Sequence, residues 1–94
     1  MSLMNQRIKN GFGMVSNTIL REPELSLGEK GLYAYLTTYA DGSNELYVSV
    51  NRMASECNIG VSTVKRYLHS LETKGVILRC NRTIGASRKT VLLK

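Results

Sequence analysis

The chain has 94 residues, of which 43% are hydrophobic and 21% are charged. This length allows one domain with a small core, and the composition is that of a globular protein, which argues against a disordered or multidomain chain. Thirteen Lys and Arg residues against seven Asp and Glu residues give a net charge of +6. A chain this basic prefers anionic partners, with nucleic acid first and a membrane surface second.

The positive charge is concentrated in the second half of the chain. Residues 1–47 hold four basic and five acidic side chains, a net of −1, whereas residues 48–94 hold nine basic and two acidic, a net of +7. No apolar run approaches the roughly 20 residues of a membrane span, and the N-terminus lacks the apolar segment of a signal peptide. We therefore expect a cytoplasmic protein without a membrane segment, whose anion-binding surface lies in the second half.

Patterns typical of catalysis and metal binding are missing. His69 is the only histidine, and the sequence has no P-loop, GxGxxG, HExxH or nucleophile motif. Cys57 and Cys80 lack the spacing of a zinc site and are too few for a disulfide framework, so we expect both to be reduced and buried. The sequence predicts a protein that is not an enzyme and that has no metal and no cofactor.

The first residues have little structural pattern. Residues 1–11 are predicted to be a flexible segment, of which residues 1–3 resemble a vector-derived leader. Residues 12–20 predict a short extended segment and a turn of helix before Pro23. Because the chain ends at Lys94 within an apparent strand, we expect it to be a domain of a longer protein.

A capping box predicts the first long helix. In Ser26-Leu27-Gly28-Glu29 the Ser hydroxyl and the Glu carboxylate can each accept a hydrogen bond from the other residue's backbone N–H. The apolar residues that follow lie at i, i+3, i+4 and i+7 and predict one buried face: Leu32, Tyr35, Leu36 and Tyr39. Residues 41–44 tolerate turn geometry and should end the helix. Tyr33, Tyr35 and Tyr39 are interpreted as core and surface of this helix rather than as a base-stacking platform.

A short strand and two more helices follow. Residues 46–48 predict one small strand, and Ser49 can cap a helix with another apolar face at helical spacing: Val50, Met53, Ala54 and Cys57. Asn58 tolerates the left-handed conformation just past a helix end, and Ile59 should fill the core between the helices. The next helix is predicted over residues 61–74, with Gly60 as its N-cap, Gly75 as its stop, and these buried residues: Val64, Tyr67, Leu68 and Leu71.

Two strands are predicted at the end of the chain, over residues 76–82 and 89–93, with a basic loop over residues 83–88 between them. Two helices joined by a tight turn and followed by such a hairpin have the layout of a helix-turn-helix with a wing. The predicted fold class is therefore α+β: a winged helix-turn-helix over residues 12–94, with a three-helix core and a small antiparallel β wing.

The polar face of the 61–74 helix holds the candidate DNA contacts. A helix fits the major groove of B-DNA, where its first turns reach base edges and its N-terminal amides face phosphate. Ser62 and Thr63 are short hydroxyl residues suited to phosphate oxygens, while Lys65 and Arg66 are long enough to reach bases. We predict base readout by Ser62, Lys65 and Arg66, with His69 at the margin.

A plainer interpretation applies to each of these residues. Ser62 and Thr63 could only support the helix start, and Lys65 and Arg66 could form an ordinary solvated face. Against this stands the scarcity of compensating acids, because Glu72 is the only acidic residue after Glu56.

The wing adds three basic candidates. Arg82, Arg88 and Lys89 flank the predicted loop, where a wing meets the minor groove or its phosphates. The alternative is that these cations protect an exposed sheet edge.

Three stretches of the sequence resemble a known family. They are Val15-Ser16-Asn17-Thr18-Ile19-Leu20, residues 25–36, and Thr63-Val64-Lys65-Arg66-Tyr67-Leu68 with the Leu71-Glu72-Thr73-Lys74-Gly75-Val76-Ile77 that follows. They resemble the winged helix-turn-helix domains near the N-terminus of plasmid and phage replication initiators, replisome organisers and related bacterial regulators. The resemblance covers roughly residues 12–82. It implies DNA binding, and binding roles are carried over only to Ser62, Thr63, Lys65 and Arg66.

The chain departs from the family pattern at the start of the second helix of the motif. Gly60 stands where relatives usually have Ser, and Val61 stands where they have a basic or polar residue. Either Val61 contacts a thymine methyl group, or this helix reads DNA less well than its relatives do.

The predicted function is binding of double-stranded DNA, as part of a replication-initiation or transcription-regulation protein of a bacterium, phage or plasmid, with a homodimer possible. The alternative is a protein-interaction or dimerisation module, because fold does not determine function. A membrane-surface protein would need a Lys-rich amphipathic helix with exposed bulky apolar residues, which the chain lacks.

Overall fold

The computed structural model describes residues 16–40 and 42–93. Their elements in chain order are α1 (Asn17–Leu20), α2 (Leu27–Thr37), β1 (Glu45–Tyr47), α3 (Val50–Cys57), α4 (Val61–Thr73), β2 (Ile77–Ile84) and β3 (Ser87–Leu92). α1 is the turn of helix predicted before Pro23. The segment predicted to be flexible, residues 1–11, and the extended segment predicted after it lie outside the described residues.

The capping box at the start of α2 forms as predicted. The Glu29 N–H donates to the Ser26 hydroxyl, and the Ser26 N–H donates to the Glu29 carboxylate at 2.7 Å. On the predicted apolar face of α2, Leu32 and Leu36 are buried, and Tyr35 and Tyr39 are half-buried and pack against the core. The core also includes Tyr33, which is 1% exposed and lies one turn after buried Glu29.

The two helices of the predicted motif and their turn are confirmed. The Ser49 hydroxyl accepts from the Arg52 N–H at 3.1 Å and caps α3. Asn58 ends α3 in the left-handed conformation, with φ 56° and ψ 45°. Half-buried Ile59 packs against the core between α3 and α4. The chain leaves α4 through Gly75, whose φ of +78° suits a residue without a side chain.

The three strands form one antiparallel sheet in the order β1-β3-β2. The loop predicted over residues 83–88 is wrong, because Thr83 pairs with Arg88 and Ile84 pairs with Ser87. Only Gly85 and Ala86 remain as the turn, with Gly85 at a φ of +60°. Between Arg79 and Thr83 the register shifts, so β2 is irregular in its middle.

The core lies between the helices and the inner face of the sheet. Its largest fully buried apolar side chains come from all these layers: Ile19, Tyr33, Leu36, Met53, Val64, Leu71 and Ile77. Gly28 lets α2 and α4 approach closely, since a Cβ there would lie 2.4 Å from the Tyr67 hydroxyl. Cys57 and Cys80 are free, as predicted, but they are half-buried rather than buried. No helix within the described residues is long and apolar enough to cross a membrane.

Candidate nucleic-acid interface

One face of α4 is polar and exposed along most of its length. Ser62, Lys65, Arg66 and His69 are all exposed and follow the spacing i, i+3, i+4 and i+7, which places them in one stripe. The opposite face, with Val64, Leu68 and Leu71, is buried. Thr63 is half-buried at the edge between the two faces. The structure therefore groups four of the five predicted α4 residues on one accessible surface.

The N-terminus of α4 differs from those of α2 and α3. Ser26 and Ser49 each accept a backbone N–H of the helix they cap, whereas Gly60 provides no side-chain hydrogen bond to α4. The first amides of a helix need partners from outside it and favour negative charge. The start of α4, beside Val61 at 37% exposed, is therefore open to an anion.

Two side chains of the stripe have neighbours that restrain them. The Arg66 guanidinium carbon lies 5.6 Å from the centroid of the Tyr67 ring, within range of a cation–π interaction. Lys65 is one residue earlier and points toward the wing, where it lines both clefts described next. The stripe therefore has one cation beside the wing and one beside Tyr67.

A groove separates α4 from the β2–β3 wing. It consists of two adjoining clefts of about 320 Å³ and about 250 Å³, and four residues line both of them: Val50, Lys65, Arg79 and Arg88. We call this surface the α4–wing groove. His69 and Glu72 line the larger cleft, and Val61 and Ala86 line the smaller one. Positive charge dominates the groove, since Glu72 is the one acidic residue among its lining residues.

The three predicted wing residues occupy different environments. Arg88 lines the α4–wing groove, where its Nε donates to the Cys80 carbonyl at 3.2 Å. Lys89 is half-buried and makes an ion pair with Glu45 at 3.1 Å, so its ammonium group already has a partner on β1. Arg82 is exposed in the irregular part of β2 and lines neither cleft. Of the three, the structure brings only Arg88 together with Lys65 and His69.

Arg79 is the residue that the sequence analysis missed. It lies on β2 directly opposite Thr90 of β3 and lines both clefts of the groove. Its position two residues after buried Ile77 was a usable indication, because alternate residues of a strand share a face.

One acidic side chain of α3 is hydrogen-bonded to α2. Exposed Glu56 on α3 accepts hydrogen bonds from the hydroxyls of Tyr35 and Tyr39, and these bonds lower its pKa. Among residues 16–40 and 42–93, no three His, Cys, Asp or Glu side chains are grouped to hold a metal ion. The chemistry that this surface offers is therefore cationic hydrogen-bond donation to an anion.

These elements define the class of domain. α3, the Asn58 turn, α4 and the β2–β3 hairpin form a helix-turn-helix with a wing, as predicted. The chain belongs to a family of helix-turn-helix domains, whose model matches residues 24–77. No curated protein matches the sequence.

Solved structures share the fold. The structure described as "Structure of Rep-DNA complex" aligns with a TM-score of 0.65 at 16% sequence identity, covering 100% of this chain and 83% of that chain. The one described as "N-Terminal domain of DNA binding protein" also has a TM-score of 0.65 and 16% identity, covering 100% of this chain and 82% of that one. This likeness confirms the predicted α+β fold and the resemblance to winged helix-turn-helix domains. The family and the fold support DNA binding as the general function.

Proposed function

We propose that this domain binds double-stranded DNA, with α4 in the major groove and the wing against the adjacent backbone. The observation that carries the proposal is the continuity of the α4 stripe with the α4–wing groove. Lys65 belongs to both surfaces, so basic side chains extend from the helix to Arg88 of the wing. A duplex is the ligand that suits a protruding helix beside a positively charged groove.

The size and chemistry of α4 agree with this placement. Thirteen residues make a helix of about 20 Å, and its long exposed side chains, Lys65 and Arg66, lie in the first two turns. Arginine can bond both acceptors of guanine, and serine or threonine hydroxyls can donate to phosphate. We assign base readout to Ser62, Lys65 and Arg66 and phosphate contacts to Thr63 and Arg88, with His69 at the margin. Arg82 is a second wing candidate, and Lys89 contributes less because it is paired with Glu45.

We further propose that the domain serves a protein of replication initiation or transcription regulation. The structural neighbour described as a Rep–DNA complex supports the first of these. Both processes need a domain that positions a larger assembly on duplex DNA. A pull-down of the native full-length protein from its own cells would separate them by the partners it retains.

The proposal is tested by titrating a fluorescent duplex pool with the protein between 50 and 200 mM salt. Affinity should fall with a slope of about −0.9 in log–log form for each phosphate contact. Replacing Lys65 and Arg66 together with Ala should weaken binding by roughly tenfold or more, since charged hydrogen bonds to DNA are lost. The matched control is Arg21→Ala with Lys30→Ala, which removes two cations of the less basic half.

The two variants must differ if α4 reads DNA. Equal affinities for both would show that the helix faces elsewhere, and no binding by the wild-type protein at low salt would end the proposal.

The second candidate function, self-association or protein docking, rests on Leu78, Ile84 and Leu93, which are 47%, 64% and 49% exposed on or beside the wing strands. Sedimentation of the same samples tests the first of these, because a self-association module would form oligomers without binding the duplex.

A further inference from the structure

Arg79 is a recessed arginine whose donors lack protein partners. Its Nε and Nη1 atoms are buried, and neither has a hydrogen-bond partner within the described residues. The Oγ1 atom of Thr90, its cross-strand neighbour, is also buried without a hydrogen bond. Buried polar atoms are nearly always hydrogen-bonded in folded proteins, so a cluster of three on one face of one strand pair requires an explanation.

On balance, the surroundings of Arg79 disfavour its charged form. Burial lowers the pKa of Arg79, and the nearby positive charge of Arg88 lowers it further, while Glu72 acts in the opposite direction. An apolar side chain of similar length would serve folding better than a desolvated guanidinium beside a second one. Both arginine side chains line the same open groove. Because the Nε and Nη1 atoms of Arg79 are buried, this side chain has to turn outward before those donors can meet a ligand there.

We propose that Arg79 and Arg88 together bind one backbone phosphate of nucleic acid in the α4–wing groove. Phosphate suits this site because it accepts several short hydrogen bonds at once, and a guanidinium presents donors in a planar fork. Lys65 lines the same groove from the α4 side, so its charge adds to the attraction for a phosphate without a direct bond to it. This contact would fix the wing relative to the reading helix without any contact to a base.

The inference rests on the proposed function for the identity of its ligand, since free inorganic phosphate has the same chemistry. Arg79→Met separates binding from folding, because Met keeps the apolar length of the side chain and removes every donor. We expect the urea midpoint of this variant to equal or exceed that of the wild type. We expect its affinity for duplex to fall by roughly tenfold and its salt slope to become shallower by about one phosphate contact.

Arg21→Met is the control, because Arg21 is exposed at the end of α1 and lines neither cleft. If the wild type binds duplex and the two Met variants have equal affinity and slope, the inference is overturned while the proposed function stands. A lowered urea midpoint for Arg79→Met with unchanged affinity would also overturn it, because Arg79 would then serve the fold.

A second measurement applies if the wild type binds no duplex. The Arg79 Nε–Hε signal, assigned through its loss in Arg79→Met, is followed by NMR while inorganic phosphate is added. A saturable shift that Arg21→Met retains would support an anion site without DNA. An unchanged signal would overturn the site together with the proposed function.

Discussion

The two ends of the surface along α4 use positive charge in opposite ways. Past the C-terminus of α4, Lys74 donates to the carboxylate of Glu29 at 3.2 Å and to the Glu24 carbonyl. Glu29 is 5% exposed and also accepts the Ser26 N–H. In the α4–wing groove, none of Lys65, Arg79 and Arg88 makes an ion pair within the described residues. The first cation joins α4 to α2, whereas the others have no carboxylate partner within the described residues.

The pKa of Glu29 shows how completely the first site is satisfied. Burial alone would raise this pKa, but hydrogen bonds from the Ser26 backbone, Ser70 and Lys74 outweigh it and lower the pKa to about 2. In the α4–wing groove the effect of burial is not offset in this way, because burial and the like charge of Arg88 both act against the charged form of Arg79. Substitutions at Glu29 should therefore reduce stability and spare DNA affinity. Substitutions of the groove cations Lys65, Arg79 and Arg88 should reduce DNA affinity and spare stability.

The largest expected effect comes from breaking the Glu29–Lys74 pair. Glu29→Ala should lower the free energy of unfolding by about 3 kcal/mol or more, because Lys74 loses its carboxylate and the Ser26 N–H loses its acceptor. The measurement is urea denaturation followed by circular dichroism. Duplex affinity, measured where the variant is folded, should be unchanged.

The other ion pair of the described chain is the matched control. Glu45→Ala breaks the contact with Lys89, in which the Glu45 side chain is 50% exposed, and exposed pairs contribute at most about 1 kcal/mol. If Glu29→Ala lowers the free energy of unfolding no more than Glu45→Ala does, the proposed difference between the two ends of α4 is contradicted.

The next largest effect is the dependence of stability on pH in the acidic range. Because the pKa of Glu29 is about 2 in the folded chain against an ordinary 4.5, the unfolded chain binds more protons between these values. Stability from Glu29 is therefore complete above about pH 5 and is lost as pH falls through 4.5 toward 2, by about 3 kcal/mol in all. Denaturation curves from pH 6 to pH 2 measure it. Glu29→Gln should show a weaker pH dependence in this window, and a profile parallel to that of the wild type would refute the assignment.

The smallest expected effect comes from the acidic residue of the α4–wing groove. Glu72 is the carboxylate that offsets positive charge in the larger cleft, so Glu72→Gln should tighten duplex binding by a few-fold at low salt. The gain should shrink at higher salt, because exposed charges are screened. Glu24→Gln, a substitution at an exposed residue outside the groove, is the control. Weaker binding by Glu72→Gln would show that this carboxylate contacts the DNA or positions a residue that does.

Features controlled by neighbouring residues were predictable from the sequence. The Ser26 capping box, the Ser49 cap, left-handed Asn58 and the limits of α4 each depend on hydrogen bonds or backbone preferences within a few residues. Local chemistry of this kind is present in the chain before it folds. The candidate stripe on α4 followed from the same helical spacing and lies where it was expected.

Features that depend on distant partners were mispredicted or missed. The burial of Glu29 and Tyr33 was not predicted, and Glu29 finds its partner in Lys74, 45 residues away in the chain. The wing hairpin is tighter than its Gly-containing sequence indicated, because strand pairing extends to Ile84 and Ser87. Lys89, which the sequence predicts as a DNA contact of the wing, makes an ion pair with Glu45 of β1.

By itself, the sequence determined the class of domain, the limits of α4 and the positive charge of its exposed face, since periodicity, helix caps and charge can be read along the chain. Only the tertiary structure decided which cations have a carboxylate partner. Whether an ammonium or guanidinium group has a carboxylate within reach depends on which helices and strands meet. That difference separates Lys74 and Lys89, which are paired, from Lys65, Arg79 and Arg88, which together line the α4–wing groove.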